Sequence, residues 1–480
     1  MLNQDVSKYG LATHLALAAA LPAALAQFLA PEALACVTLW VSAFAFIWLL
    51  VEPSVMSGET VSSARRRVIR GIIRDPFSWF LAVVTVIAFS RWLNSGVRLV
   101  FDAEVASWSV KEPVVPFLPA SNGNAALLPL ALAVVSCPVV LGLKHALGRN
   151  GRLWFGVMSG AISSTGALAA VICAGLGIQP FAGAAVSSFG AESFPGAMYA
   201  LFLAIAVVCG VESEERGMTK SRLVFAWAVA GNAVGAYVFL PTILSISYLA
   251  IAGLLSLIAF FMCNCRAGVA ATARAASMFF FGVIAAMFIF MVLPTDDIQA
   301  AKIKDLEVEK AFPPALADRN EALRRIANAM WIQQPWTGVG IGAFSLHAPF
   351  CAAKEDWAVL PAEPKNGSNG YFTLLAERGI VGGLIWIIGI GFLCWFWIAR
   401  LVGAFLWQKG QDEGRSFLRN ISAVVWAGPI VLCECAVDAW FSSGYPLTPL
   451  YLCVVAAMPL AGASFPKVKR KTLHEEDKKG

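Results

Sequence analysis

Twelve apolar runs dominate this chain: Leu11–Ala30, Ala33–Val51, Phe77–Trp92, Ala125–Leu143, Leu153–Ile178, Phe194–Val211, Leu223–Leu240, Thr242–Met262, Ser277–Leu293, Ile380–Ile398, Ile421–Trp440 and Leu447–Ala463. A helix rises about 1.5 Å per residue against roughly 30 Å of hydrocarbon, so a run of about 17–25 apolar residues is what a membrane span requires. With 59% hydrophobic residues, only 14% charged ones and a mean hydropathy of +0.71, the 480 residues are too apolar for a soluble globular protein. The fold expected is all-α and polytopic, with about twelve transmembrane helices. It divides into a nine-span region over 1–293, a large loop with short helices over 294–379, three further spans over 380–463 and a basic tail over 464–480.

Orientation follows from Lys and Arg, which are retained on the cytoplasmic side. With the N-terminus inside, the cytoplasmic segments hold 24 of the 36, including five in "ARRRVIRGIIR". Both termini are therefore expected in the cytoplasm. The 294–379 loop carries nine Lys or Arg against 11 Asp or Glu and is expected outside. The first run ends in "LPAALAQ", which offers cleavage-like small residues, but its weak n-region favours an uncleaved helix. Eleven cysteines lie mostly inside the runs, which indicates no disulfide framework, and Cys263 and Cys265 lack companion metal ligands. Membrane lipids are expected partners, and nucleic acid is not.

One stretch outside the spans is unusual. "QPWTGVGIGAF", residues 334–344, places Gly338, Gly340 and Gly342 at alternate positions after Pro335. A phosphate-cradling loop needs a preceding strand and, in NTPases, a GK[ST] ending; this stretch has neither and lies on the wrong side of the membrane for nucleotides. It reads as a tight turn at a helix end.

The flanks give that turn a context. Upstream, in "DRNEALRRIANAMWIQQP", Asp318 and Glu321 form a capping-box-like start and Pro335 a stop, while Leu323, Ile326, Ala327 and Met330 recur at helical spacing. At about 100° per residue, Arg319 falls on that apolar face, Arg324 on its flank and Arg325 opposite. Arg319 is thus expected to point with the apolar residues toward the membrane region. Downstream, "NGSNGYFTLLAERGIVGG" offers Ser368 or Asn369 as an N-cap, a short helix, a stop at Gly379 and then the tenth span. The free N–H groups at that helix start would make an anion site.

"PWTGVGIGAF" followed, after a loop, by "SNGYFTLLAERGIVGGLI" resembles the Wzy-C signature of O-antigen ligases and related O-antigen polymerases. Twelve spans with a large loop between the ninth and tenth match that family's layout. The clear likeness covers about residues 318–398. It implies a glycosyltransferase of the bacterial cytoplasmic (inner) membrane that builds surface polysaccharide on the periplasmic face. Such an enzyme takes a glycan from undecaprenyl diphosphate and joins it, with inversion and without metal or other cofactor, to a hydroxyl on a lipid or a growing glycan. The implied partners are that polyprenyl-diphosphate-linked donor, the hydroxyl acceptor and polysaccharide-assembly proteins. Arginine suits the departing diphosphate, because its guanidinium stays charged and binds phosphate oxygens through two N–H groups.

The family's polar positions transfer unevenly. Arg319 best matches the arginine that helps bind the diphosphate, and Arg324 lies nearby. A histidine normally opens the downstream helix, but here Ser368 stands in its place, followed by Asn369 and Tyr371; a serine hydroxyl is no base near neutral pH. An arginine is expected before the sixth span, where "AAVSSFGAESFPGAMYA" has Ser187 and Ser188. His347, the one histidine of four inside the large loop, is the candidate base, with Glu355, Asp356 and Glu363 as rival carboxylates that read as solvated surface groups. Substrate contacts are further expected from Gly338 and Gly340, from Arg91 at the end of the third span, and from Glu434 and Asp438 at i, i+4 on the eleventh, for which a structural ion pair is the competing reading. Rival functions are a catalytically degenerate partner subunit of an assembly complex, a transporter or exporter using Glu434 and Asp438, and a peptidoglycan-type polymerase.

Overall fold

The computed structural model describes residues 2–25, 28–51, 60–102, 107–111, 115, 118–175, 194–239, 242–292, 313–358 and 370–409. Helices occupy the first ten apolar runs: α1 (Leu2–Leu25), α2 (Pro31–Val51), α4 (Pro76–Leu93), α5 (Leu127–Leu141), α6 (Arg149–Gly175), α7 (Phe194–Glu215), α8 (Arg222–Phe239), α9 (Thr242–Ala267), α10 (Val269–Val292) and α13 (Gly370–Lys409). Between them lie the short α3 (Val61–Arg74), α11 (Pro313–Gln333) and α12 (Phe344–Cys351). Among the described residues seven helices are long and apolar enough to cross a membrane, and the protein is an all-helical polytopic membrane protein. The expected spans Ile421–Trp440 and Leu447–Ala463 lie outside the described residues.

The main core is built around α6, which packs against α1, α7 and α8, while α2 and α4 lean on α5, α9 on α7, and α10 on α8. Lipid tails compete on equal terms for apolar surface, so helices in a membrane associate through close packing and hydrogen bonds. Asn232 supplies such a bond at the α6–α8 seam. Its Nδ2 donates to Gly160 O at 2.7 Å and Ala228 O at 2.8 Å, and its Oδ1 accepts from Ser163 Oγ at 2.8 Å.

A second, smaller core lies apart from the first. Val97 and Ala120 from the segment after α4, Leu323, Ile326, Ala327 and Met330 of α11, Val339 of the glycine stretch, Phe344 and Ala348 of α12, and Ala376 of α13 form it. Residues 323–348 of the expected large loop are therefore packed around an apolar centre that they share with the segment after α4 and with α13.

One element of the fold was not anticipated, and two local expectations are corrected. The segment after α4 carries an antiparallel hairpin, β1 (Arg98–Asp102) with β2 (Ser107–Lys111), pairing Leu99 with Val110 and Phe101 with Trp108. Helix α11 begins at Pro313 and not at a cap on Asp318, because proline lacks only an N–H that the first turn leaves unused. Glu321 accordingly makes no capping box; it pairs with Arg324 at 2.5 Å.

Candidate functional site

The three alternate glycines close a break in a helix. α13 is interrupted at Gly379, whose φ of 60° and ψ of −164° belong to a region that only glycine occupies readily. A break strands carbonyls before it and N–H groups after it, and each costs free energy if buried without a partner. The glycine stretch satisfies both sides. Val339 N donates to Ala376 O at 2.9 Å and Gly340 N to Glu377 O at 3.1 Å, while Ile380 N donates to Pro335 O at 2.8 Å and Val381 N to Trp336 O at 3.1 Å. The backbones meet so closely that a Cβ on Gly338, at φ +70°, would overlap Glu377 and Arg378 main-chain atoms, and one on Gly379 would lie 2.5 Å from Trp336 C.

The same stretch is tied to the segment after α4. Ile341 N donates to Ala120 O at 3.1 Å, Asn122 N to Ile341 O at 2.8 Å, and Asn122 Nδ2 to Gly342 O at 3.2 Å. Ser121 Oγ, one residue away, donates to the backbone oxygen of Arg91 at 2.9 Å. The end of α4, the glycine stretch and the broken helix thus form one hydrogen-bonded assembly.

Its charged centre is Glu377, Arg91 and Arg378. Glu377 is 2% exposed, and its Oε1 accepts from Gly342 N at 3.0 Å and Phe344 N at 3.4 Å. The charges of Arg378 and Arg91 both act on that carboxyl. Arg91 is 4% exposed, and its Nη2 has no hydrogen-bond partner among the described residues. A buried guanidinium with an unused donor is costly unless a further oxygen satisfies it.

The other expected site residues fall as follows. Gly338 and Gly340 spend their N–H groups on Gln334 O and Glu377 O, so they shape the assembly and present no donor to a ligand. Arg319 has the angular position of Leu323 and Met330, yet it is exposed, because it stands a turn ahead of the packed part of α11. This corrects the expectation that it points inward. Arg324 is exposed and paired with Glu321. Asp356 is not a solvated carboxylate: it is buried, and Arg325 Nη2 and Ala353 N donate to it at 2.5 and 3.1 Å. Glu355 is exposed. His347 is half-buried on α12, its backbone N bonded to Ala343 O at 3.1 Å. Tyr371 is exposed at the start of α13. Ser187, Ser188, Glu363, Ser368, Asn369, Glu434 and Asp438 lie outside the described residues. Among the described residues no three His, Cys, Asp or Glu side chains gather as metal ligands would.

Glu377 and Arg378 were missed by sequence reasoning. The signal was present: an adjacent acid and base inside the apolar "FTLLAERGIVGG", directly before a glycine, cannot both face lipid.

Against this geometry, no curated protein matches the chain. A family model described as Wzy_C, O-antigen ligase, matches residues 218–387, which takes in α8 to the first part of α13 and with them the whole glycine stretch. The match over these residues supports membership of the O-antigen ligase (Wzy_C) family.

Proposed function

We propose that the protein transfers a glycan from a polyprenyl diphosphate to an acceptor hydroxyl on the external face of the bacterial cytoplasmic membrane, with both termini in the cytoplasm. Family membership supports a role in surface-polysaccharide glycan transfer. The observation that carries the finer reading is the buried Arg91, whose Nη2 has no partner among the described residues although its charge acts on Glu377. As the glycosidic bond to the diphosphate breaks, negative charge grows on the phosphate oxygens, and a guanidinium held in a low-dielectric setting stabilises that charge more than water does. Glu377 offsets the two arginines and, through Gly342 and Phe344, fixes the turn between them. Arg319 and Arg324, exposed on α11, are cations within reach of solvent and are assigned to the diphosphate as it arrives. His347 is assigned as the base that takes the acceptor proton, because Ser368 cannot.

The test is transfer by purified protein from an undecaprenyl-diphosphate-linked glycan to an acceptor. Arg91→Gln should remove transfer and weaken donor binding, with Arg91→Lys recovering part of both. Undiminished transfer by a folded Arg91→Gln variant would remove the arginine from the site.

A further inference from the structure

The short helix α3 has no part in the assembly described above, and its chemistry is lopsided. Of its 14 residues five are arginine, and none is acidic. It starts on an N-cap, Thr60, whose Oγ1 accepts from Ser63 N at 3.3 Å, and it ends at Asp75. Asp75 has extended backbone and also caps α4, accepting from Phe77 N at 3.1 Å. A single extended residue between two helices makes a corner, so α3 leaves the direction of α4 where that apparent span begins.

One edge of α3 is fixed to the protein. Ala64 and Val68 are buried. Arg67 Nη1 donates to His145 O at 3.3 Å, and Arg65 Nε donates to Leu50 O at 2.7 Å, near the end of α2. Below the corner, Asp75 is held by Lys144 and by His145 Nε2 at 3.0 Å. These bonds hold α3 across the ends of α2, α4 and α5.

The opposite side makes no such contacts. Ile69 and Ile73 are exposed, the latter 59%, and Trp79 of α4 stands beside them, 63% exposed, with its Nε1 bonded to Ile73 O at 3.0 Å. Next to this apolar shoulder runs a stripe of Arg66, Arg70 and Arg74 at i, i+4 spacing, all exposed and without a hydrogen bond or ion pair to another described residue. Like charges at i, i+4 repel and destabilise a helix. The arrangement makes physical sense against a surface that is apolar on one level and densely negative on the next, which is the boundary between acyl chains and anionic headgroups. An indole with its N–H bonded and its ring exposed suits the same depth.

We propose that α3 lies along the headgroup layer and binds anionic phospholipids, with Ile69, Ile73 and Trp79 at the acyl boundary and Arg66, Arg70 and Arg74 on lipid phosphates. On the orientation given above this is the cytoplasmic leaflet, and the binding does not depend on the transferase reading. Its role is to fix the depth and tilt of the α2–α4–α5 end of the protein.

Native mass spectrometry of the full-length protein offered phosphatidylglycerol and phosphatidylcholine of matched chains tests this directly. Wild type should retain phosphatidylglycerol preferentially. Each arginine near an anionic surface adds to the attraction, so Arg66→Gln/Arg70→Gln/Arg74→Gln should lower that preference by roughly tenfold or more. Arg65→Gln/Arg67→Gln, which removes bonds to Leu50 O and His145 O, should lower thermal stability while preserving most of the preference. Hydrogen–deuterium exchange of wild type in nanodiscs gives a reading free of variants: α3 should be more protected with phosphatidylglycerol than with phosphatidylcholine. Equal retention of the two lipids, an unchanged preference in the triple variant, equal exchange in the two nanodiscs, or displacement of the lipid by inorganic phosphate, by an acidic peptide or by an oligonucleotide would each overturn the proposal.

Discussion

Glu377 Oε1 accepts the backbone N–H of Gly342 at 3.0 Å, two residues before α13 breaks at Gly379, and so ties a buried carboxyl to the last glycine of the turn. Glutamine keeps an oxygen in that position, and alanine leaves two N–H groups, that of the buried Phe344 and that of the half-buried Gly342, without this acceptor. Leaving such groups unpaired costs about 1–3 kcal/mol each. Glu377→Ala should therefore lower the unfolding temperature in detergent clearly more than Glu377→Gln does. If the two variants prove equally stable, the hydrogen bond contributes nothing and the carboxyl matters only through its charge.

The glycines of the turn differ from other glycines in a way that can be measured. Gly338 has φ +70° and main-chain atoms of Glu377 and Arg378 where a side chain would go, and Gly379 is comparably enclosed by Trp336. Gly253, inside α9, has open space at the same position. The left-handed region alone costs an L-residue roughly 1–2 kcal/mol, and the overlap adds to it. Gly338→Ala and Gly379→Ala should be strongly destabilised or fail to accumulate, whereas Gly253→Ala should match wild type. Comparable expression and melting of all three would show that the turn can open without penalty.

Much of the architecture is legible in the sequence because a bilayer imposes it: a run of apolar residues such as Val269–Val292 has few other fates. The apolar stripe of α11 and the stop at Gly379 are equally local signals. What the sequence hides is tertiary. The glycine stretch shows that a turn is needed, but its partners Ala120 and Asn122 lie more than 200 residues earlier. Periodicity put Arg319 on the apolar side of α11, yet angle says nothing of how far along a helix the packing extends. The hairpin alternates Leu99 and Phe101 on one strand with Trp108 and Val110 on the other, a period-two pattern that is short and easily passed over between spans.

Asp75, at the corner between α3 and α4, carries a pH prediction. Burial alone would raise its carboxyl, but hydrogen bonds from His145 and Lys144, the Lys144 charge and the Phe77 N–H outweigh it, and the pKa falls to about 2 from 3.8. A depressed carboxyl contributes stability above its unfolded value and loses it as pH falls through the folded one; a shift of this size corresponds to on the order of 2 kcal/mol. Asp75→Asn should thus be less stable than wild type near neutral pH. The difference should shrink as the pH is lowered below about 4. A gap that widens on acidification contradicts this account of the corner.

The last prediction concerns the proton of the acceptor hydroxyl. If the protein is a working transferase, that proton needs a base, and His347 sits on α12, a helix that begins where the glycine stretch ends and packs into the same small core through Phe344 and Ala348. A base in contact with a reacting hydroxyl typically contributes 10²–10⁴-fold. His347→Gln should lower kcat by about that factor while donor binding is retained. Ser368→Ala should cost far less, because a serine there can at most cap a helix or supply one hydrogen bond. The reverse ordering would give the position that opens the downstream helix to a binding group and leave His347 as packing. Full activity in both variants would move the proton to another acceptor, and no transfer from any polyprenyl-linked donor, even by wild type, would favour a partner subunit that has lost the chemistry while keeping the fold.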